Sequence, residues 1–273
     1  MRLDGRTALI TGGTQGVGAA IAVALARAGS NVVLHGLHDD EQAQNTLRAC
    51  RSTGVRSDLV TSDLMADTSS AVAQLFKMAL DCQPSIDLLV NNAGAYIDKP
   101  FLEMDYETFD RTMRLNVASG YFLTQHFARR WIDQNVRGRV LFTGSINGLL
   151  SEPTHTAYDA SKAAVAGLVR SLCVTLAPHG IRVNAMAPGL VRTPLTNPAL
   201  QSNGAMEWMK LHTPNGQIPE ADVCGGAAVF LMSDSAEHIH GQTLYVDGGM
   251  SASQQPDLPD SMIEIAARMA KPQ

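Results

Sequence analysis

Short, β-branched, almost uninterrupted apolar runs alternate with longer amphipathic segments along most of this 273-residue chain. No other feature restricts the fold as much. The runs at 7–11, 31–35, 57–61, 87–90, 139–143, 181–186 and 243–246 are apolar on consecutive residues, not on alternate ones. Strands covered on both faces need that pattern, whereas a sheet with one wet face would alternate. Helical patterning is predicted near 18–28, 40–53, 67–81, 105–133, 157–177 and 220–232, the first ending at Gly29. Strand–helix alternation of this kind implies parallel crossovers. The predicted fold class is therefore α/β: a single doubly wound parallel sheet, Rossmann-like, with helices on both faces. Neither repeat nor linker splits the chain. Residues 1–250 read as one domain, and 251–273 as a C-terminal extension with a short helical pattern at 261–270. Residues 188–219 are rich in Pro, Asn and Gly and read as a lid-like segment.

Composition removes several function classes. A net charge of −5 does not suggest a non-specific nucleic-acid binder. No apolar run reaches the length a bilayer demands, and the N-terminal switch from polar to apolar is too short for a signal peptide. The four cysteines are widely spaced, which suits reduced core thiols and a cytoplasmic location. The eight histidines lack a His-Glu-x-x-His spacing, so no metal site is predicted.

The first predicted strand runs directly into Thr11-Gly-Gly-Thr-Gln-Gly-Val-Gly18. Gly12, Gly16 and Gly18 let a ligand approach the backbone, and the following helix offers unpaired N–H groups and a positive dipole end to a pyrophosphate. Gln15 and Val17 share that turn. After the second strand an acid would read free ribose hydroxyls, as in NAD, and an arginine a 2′-phosphate, as in NADP. Here Gly36 and Leu37 offer neither. Asp39 lies near the usual interval. His35 or His38 would suit a phosphate, while Asp39, Asp40 and Glu41 would repel one. NAD and NADP both remain open.

Tyr158 and Lys162 lie four residues apart in a helical run, and so on one helix face. An ammonium beside a phenol favours the phenolate, which would lower the tyrosine pKa and fit it to move a proton. Glu103, Asp105, Glu107 and Asp110 read as a solvated helix start. Trp131 reads as packing, Trp208 as part of the lid. Tyr96, Asn147 and His155 flank the chemistry-bearing segments and are candidate pocket residues.

Several further motifs occur in order: Asp63 and Leu64 in Thr61-Ser-Asp-Leu64, Asn91-Asn-Ala-Gly94, Asn116 in Leu115-Asn-Val, Ser145 in Thr143-Gly-Ser, Pro188-Gly-Leu-Val-Arg-Thr193 and Asp247-Gly-Gly249. With the glycine turn and the Tyr158/Lys162 pair, the set resembles the classical short-chain dehydrogenase/reductase family over about residues 3–250. The resemblance implies a catalytic set of Asn116, Ser145, Tyr158 and Lys162. It implies cofactor contacts from Gly12, Gln15, Gly16, Val17, Gly18, Asp63, Leu64, Asn91, Ala93, Gly94, Tyr158, Lys162, Pro188, Gly189, Val191 and Thr193. Asn116 is implied to hold a water that links Lys162 to solvent, and Lys162 to bind the nicotinamide ribose. The implied reaction is NAD- or NADP-dependent hydride transfer to or from a small-molecule alcohol or ketone, in a homotetramer joined through the helices near 105–133 and 157–177. Sugar and polyol members of the glucose 1-dehydrogenase kind are the first expectation. A 3-oxoacyl-carrier-protein reductase is the alternative, and would want a basic docking patch, for which Arg129 and Arg130 are the visible cluster. A catalytically silent, cofactor-sensing protein is the alternative of another class.

Overall fold

The computed structural model describes residues 1–201 and 204–253. The helical pattern at 261–270 lies outside them. Seven parallel strands form one sheet: β1 (Thr7–Ile10), β2 (Asn31–Gly36), β3 (Ser57–Thr61), β4 (Leu88–Asn91), β5 (Arg139–Thr143), β6 (Arg182–Pro188) and β7 (Thr243–Val246). Their spatial order is β3-β2-β1-β4-β5-β6-β7, so the winding direction reverses between β1 and β4.

The consecutive apolar residues of each strand divide between two cores. Ala8 and Ile10 of β1, Val32 and Leu34 of β2, and Leu88 and Val90 of β4 join one core. Leu9, Val33 and Leu89 join the other. Alternate strand residues point to opposite faces, so both faces must be covered, and a buried Leu or Ile is worth roughly 1.5–3 kcal/mol. Helices α1 (Gly16–Arg27) and α9 (Val223–Met232) supply Ile21, Leu25, Cys224 and Ala228 to the first core. Helices α3 (Thr68–Cys82), α5 (Ser119–Asp133) and α6 (Thr156–Leu176) supply Val72, Leu75, Phe127, Val165 and Val169 to the second. Trp131 is fully buried, and its Nε1 donates to the Ile86 carbonyl at 2.8 Å, fixing the end of α5 beside the start of β4.

Among the described residues three helix starts carry aspartate caps, Asp67 ahead of α3 among them. Asp40 accepts the Ala43 N–H ahead of α2 (Glu41–Arg51), and Asp105 accepts that of Thr108 ahead of α4 (Tyr106–Met113). The single helix expected over 105–133 is divided: a π-helical turn, Arg114–Ala118, separates α4 from α5. It contains neither Gly nor Pro, so the apolar period gave no sign of it. Residues 188–219 hold two short helices, α7 (Asn197–Leu200) and α8 (Ala205–Leu211).

One expectation needs correction. The helical stretch Thr156–His179 is long and apolar enough to cross a bilayer by composition. Asp159, Lys162 and Arg170 masked this in the sequence. It is nonetheless a core helix here: Val165 and Val169 pack on the sheet, and Asp159, Ser161 and Lys162 are buried with them.

Candidate active site

The loops that follow β1 and β4 leave the sheet side by side where the strand order reverses, the place where open α/β sheets bind ligands. Asn92 ties the two loops together. Its Nδ2 donates to the carbonyls of Thr11 (3.1 Å) and Gly12 (3.0 Å). The Thr11 hydroxyl accepts the main-chain N–H groups of Asn92 and Ala93, each at 3.0 Å. The Thr143 hydroxyl donates to Asn92 Oδ1 at 3.1 Å, which brings in the end of β5. This closure leaves no room at residue 18, where a Cβ would lie 2.0 Å from the Gly12 carbonyl oxygen and 2.4 Å from Asn92 Nδ2. Gln15 precedes α1 in extended backbone and gives no side-chain cap. The first-turn N–H groups therefore face outward without a side-chain acceptor, as an anion site requires.

The opposite wall comes from β5 and α6. Ser145 follows β5, and its hydroxyl accepts the Asn147 N–H at 3.1 Å. Lys162 Nζ donates to the Thr143 carbonyl at 3.0 Å and sits 5.6 Å from the centre of the Tyr158 ring. Asn116 lies on the π-helical turn. Its Oδ1 accepts the Ala95 N–H (2.8 Å), and its Nδ2 donates to the Ala95 carbonyl (2.9 Å) and Ser161 Oγ (3.0 Å). That side chain braces the post-β4 loop against α6. Both of its polar ends are engaged, with one lone pair of Oδ1 left over for the water implied by the resemblance.

Between the walls runs one cleft of ≈ 430 Å³, a usual size for a ligand site. Gly12, Gln15, Gly16, Val17, Gly18, Asp63, Leu64, Ala93, Gly94, Ser145, Tyr158, Lys162, Pro188, Gly189, Val191 and Thr193 all line it. Two expected members do not. Asn116 stands behind the wall. Asn91 is turned into the core, where its Nδ2 donates to Thr124 Oγ1 at 2.9 Å. The adjacent Asn92 lines the cleft instead. Successive strand residues point to opposite faces, and the motif's spelling alone does not say which asparagine faces the turn.

The electrostatics differ from the sequence expectation at three points. Burial raises the Tyr158 phenol pKa above its ordinary value, and a hydrogen bond with Ser145 opposes that only in part. The expected fall from Lys162 is absent, and burial acts on the ammonium too, lowering the Lys162 pKa from 10.5 to about 8. His35 is no phosphate ligand. Burial lowers its pKa to about 4. As a neutral ring it accepts the Gly12 N–H at Nδ1 (3.3 Å) and, through Nε2, donates to the Ser62 carbonyl (3.1 Å).

Beyond Ser145 lies a polar network that the motifs only partly marked. Asn147 Nδ2 donates to Asp159 Oδ1 (2.9 Å) and Glu152 Oε1 (3.1 Å), and Asp159 Oδ2 accepts the Glu152 N–H (3.0 Å). Tyr96 is hydrogen-bonded to His155 and packs edge-on against the Tyr158 ring, centroids 5.4 Å apart. Asp159 and Glu152 went unremarked in the sequence, although Asp159 directly follows Tyr158. Trp208 is exposed, stacks on His212 and does not line the cleft. Arg129 and Arg130 stand at the far end of α5, where Arg130 donates to the Pro84 carbonyl ahead of β4. That is the edge of the sheet opposite the cleft.

Comparison with known proteins agrees with this geometry. Residues 12–251 match a family model described as enoyl-(acyl carrier protein) reductase. An L-rhamnose 1-dehydrogenase (NAD(P)(+)) from Sphingomonas sp. strain SKA58 is 33% identical, the match covering 93% of this chain and 99% of the relative. A 3-oxoacyl-acyl-carrier-protein reductase from Aquifex aeolicus strain VF5 is 32% identical, with 92% and 99% covered. Among solved structures, a gluconate 5-dehydrogenase from Burkholderia cenocepacia J2315 in complex with NADP and tartrate superposes with a TM-score of 0.83 at 32% identity, covering 93% of this chain and 98% of that one.

Proposed function

The chain belongs to the short-chain dehydrogenase/reductase family, and from that premise we propose that it oxidises a secondary hydroxyl of a sugar or polyol, reversibly, with Tyr158 as the proton-transfer residue. Its reaction class is nicotinamide-dependent oxidoreduction at a CH–OH group. The carrying observation is that Ser145, Tyr158 and Lys162 stand together in one wall of the cleft whose other wall is the glycine turn.

The chain fits the cofactor. The Gly12–Gly18 turn and the open start of α1 would hold the pyrophosphate, and Pro188, Gly189, Val191 and Thr193 the nicotinamide end. When bound, the oxidised nicotinamide supplies the hydride acceptor and a positive charge that favours the phenolate. Ser145 Oγ orients the substrate hydroxyl, and Tyr158 Oη takes its proton. Lys162 Nζ, fixed by the Thr143 carbonyl, stabilises the phenolate that accepts this proton and becomes the phenol. Asn116 holds the 94–95 loop against α6 so that these groups keep their spacing. Residues 1–250 act as one unit, with 188–219 as the lid.

A sugar is favoured over an acyl-carrier thioester by charge. Lys162 is the one base among the described residues lining the cleft, and the Arg129/Arg130 cluster is on the wrong edge to dock an acidic carrier. A screen of aldoses, polyols and hydroxy acids, followed by absorbance of the reduced nicotinamide, should find turnover with at least one sugar or sugar acid. Turnover confined to 3-oxoacyl thioesters would replace this reading with the reductase one.

The assembly we propose is a cytoplasmic homotetramer. Support comes from unpaired cysteines and from apolar residues exposed around α4, α5 and α6, among them Leu102 (94%), Tyr106 (96%) and Val174 (77%). Light scattering at micromolar concentration should return four times the 29.1 kDa chain mass. A monomer would contradict it.

A further inference from the structure

We infer that the cleft selects NAD over NADP, and that it does so by withholding any counter-charge for a 2′-phosphate at the end of β2. The inference rests on the dehydrogenase reading and deepens it.

The adenosine-ribose end of the cleft is formed by Thr14, Gly36, Leu37, Ser62 and Asp63. None is basic, and Lys162, the sole base among the described residues lining the cleft, is at the catalytic end. Position 36 has no room for a charged side chain of either sign: a Cβ there would lie 2.6 Å from Thr14 Cγ2 and 2.8 Å from Thr14 Oγ1. Leu37 follows, 56% exposed and apolar, at the rim. The two histidines of this segment do not make up the deficit. His35 is buried, neutral and bonded through both ring nitrogens to Gly12 and Ser62. His38 is exposed and is not among the lining residues.

The charge that lines this end is negative, and a guanidinium close by, that of Arg111, is turned to Met65 Sδ at 3.5 Å. Asp63 lines the cleft, with its Oδ1 accepting the Met65 N–H at 2.8 Å. Asp39 and Asp40 come two and three residues after Leu37, outside the cleft lining like His38, and are held in place, Asp39 by Gln44 and Asp40 as the cap of α2. A 2′-phosphate would bring nearly two negative charges beside Asp63, with no arginine or lysine among the described residues that line this end to receive them. A pair of ribose hydroxyls is neutral, remains partly hydrated at an open rim, and meets no such repulsion. The glycine at 36 therefore removes the acid that usually reads NAD without creating a site for NADP.

Isothermal titration of the full chain with NAD⁺ and NADP⁺ tests this without turnover. NAD⁺ should bind about tenfold or more tightly, the scale of a missing charge pair at a partly exposed site. The variant Leu37→Arg, at a 56% exposed rim position, should raise NADP⁺ affinity about tenfold relative to NAD⁺ affinity. NADP⁺ binding as tightly as NAD⁺ to the unaltered chain overturns the inference and leaves the dehydrogenase reading standing. So does a Leu37→Arg variant with no gain for NADP⁺. Binding of neither dinucleotide overturns both.

Discussion

Replacing Tyr158 by Phe should lower turnover about 10³- to 10⁴-fold, the scale of a lost proton-transfer group, while dinucleotide affinity stays within about threefold. Only the hydroxyl is removed. The ring keeps its edge-on contact with Tyr96 and its place in the cleft wall, so the fold has no reason to change. Ser145→Ala should fall less, about 10²-fold, because it removes an orienting hydrogen bond and leaves the proton acceptor in place. Stopped-flow turnover alongside titration with the dinucleotide separates the two effects. Full activity in Tyr158→Phe would remove the mechanism, and loss of cofactor binding would recast Tyr158 as a binding residue.

The second large effect concerns stability. Lys162→Met should abolish activity and yet make the cofactor-free protein more stable at pH 7 by about 2 kcal/mol. Burial lowers the Lys162 pKa from 10.5 to about 8, so at pH 7 the folded chain carries a charge it disfavours. That shift corresponds to about 3 kcal/mol, of which about 1 kcal/mol is given back when the Thr143 carbonyl loses its donor. Between pH 8 and 10.5 the folded state binds fewer protons than the unfolded chain. The lysine's contribution to stability therefore rises with pH through that window, and the advantage of Met should shrink over it. Urea melts of both proteins at pH 7, 9 and 10.5 give the difference directly, since every other titration cancels. A Met variant less stable than the parent at pH 7 would show that the ammonium is better solvated than its burial implies.

Much of this protein could be read from its residues because their constraints are local. Consecutive apolar residues in 31–35 and 139–143 require strands with two covered faces, and β2 and β5 are such strands. The glycines at 12, 16 and 18 serve a turn whose tolerance is set within a few residues. What the residues concealed depends on partners distant in sequence. Asn91 and Asn92 are chemically identical, and only the direction each faces separates the core-bound amide from the one that clamps the turn. The π-helical turn that places Asn116 follows from tertiary contacts with Ala95 and Ser161 and not from any helix-breaking residue. His35 was legible as a polar residue near a phosphate site. Its burial under Ser62 makes it part of the scaffold.

Sequence by itself determined the doubly wound sheet, the glycine turn after its first strand and the placing of Tyr158 and Lys162 on one helix face. These rest on periodicity and on short spacings, which a chain carries without reference to its own fold. Tertiary structure alone decided the charge states in the cleft and the character of its ribose end. A pKa depends on how many atoms exclude water from a group, and Lys162 is drawn down because α6 and β5 close around it. In the same way Thr14 fills the space beside Gly36 only once the first two strands lie side by side.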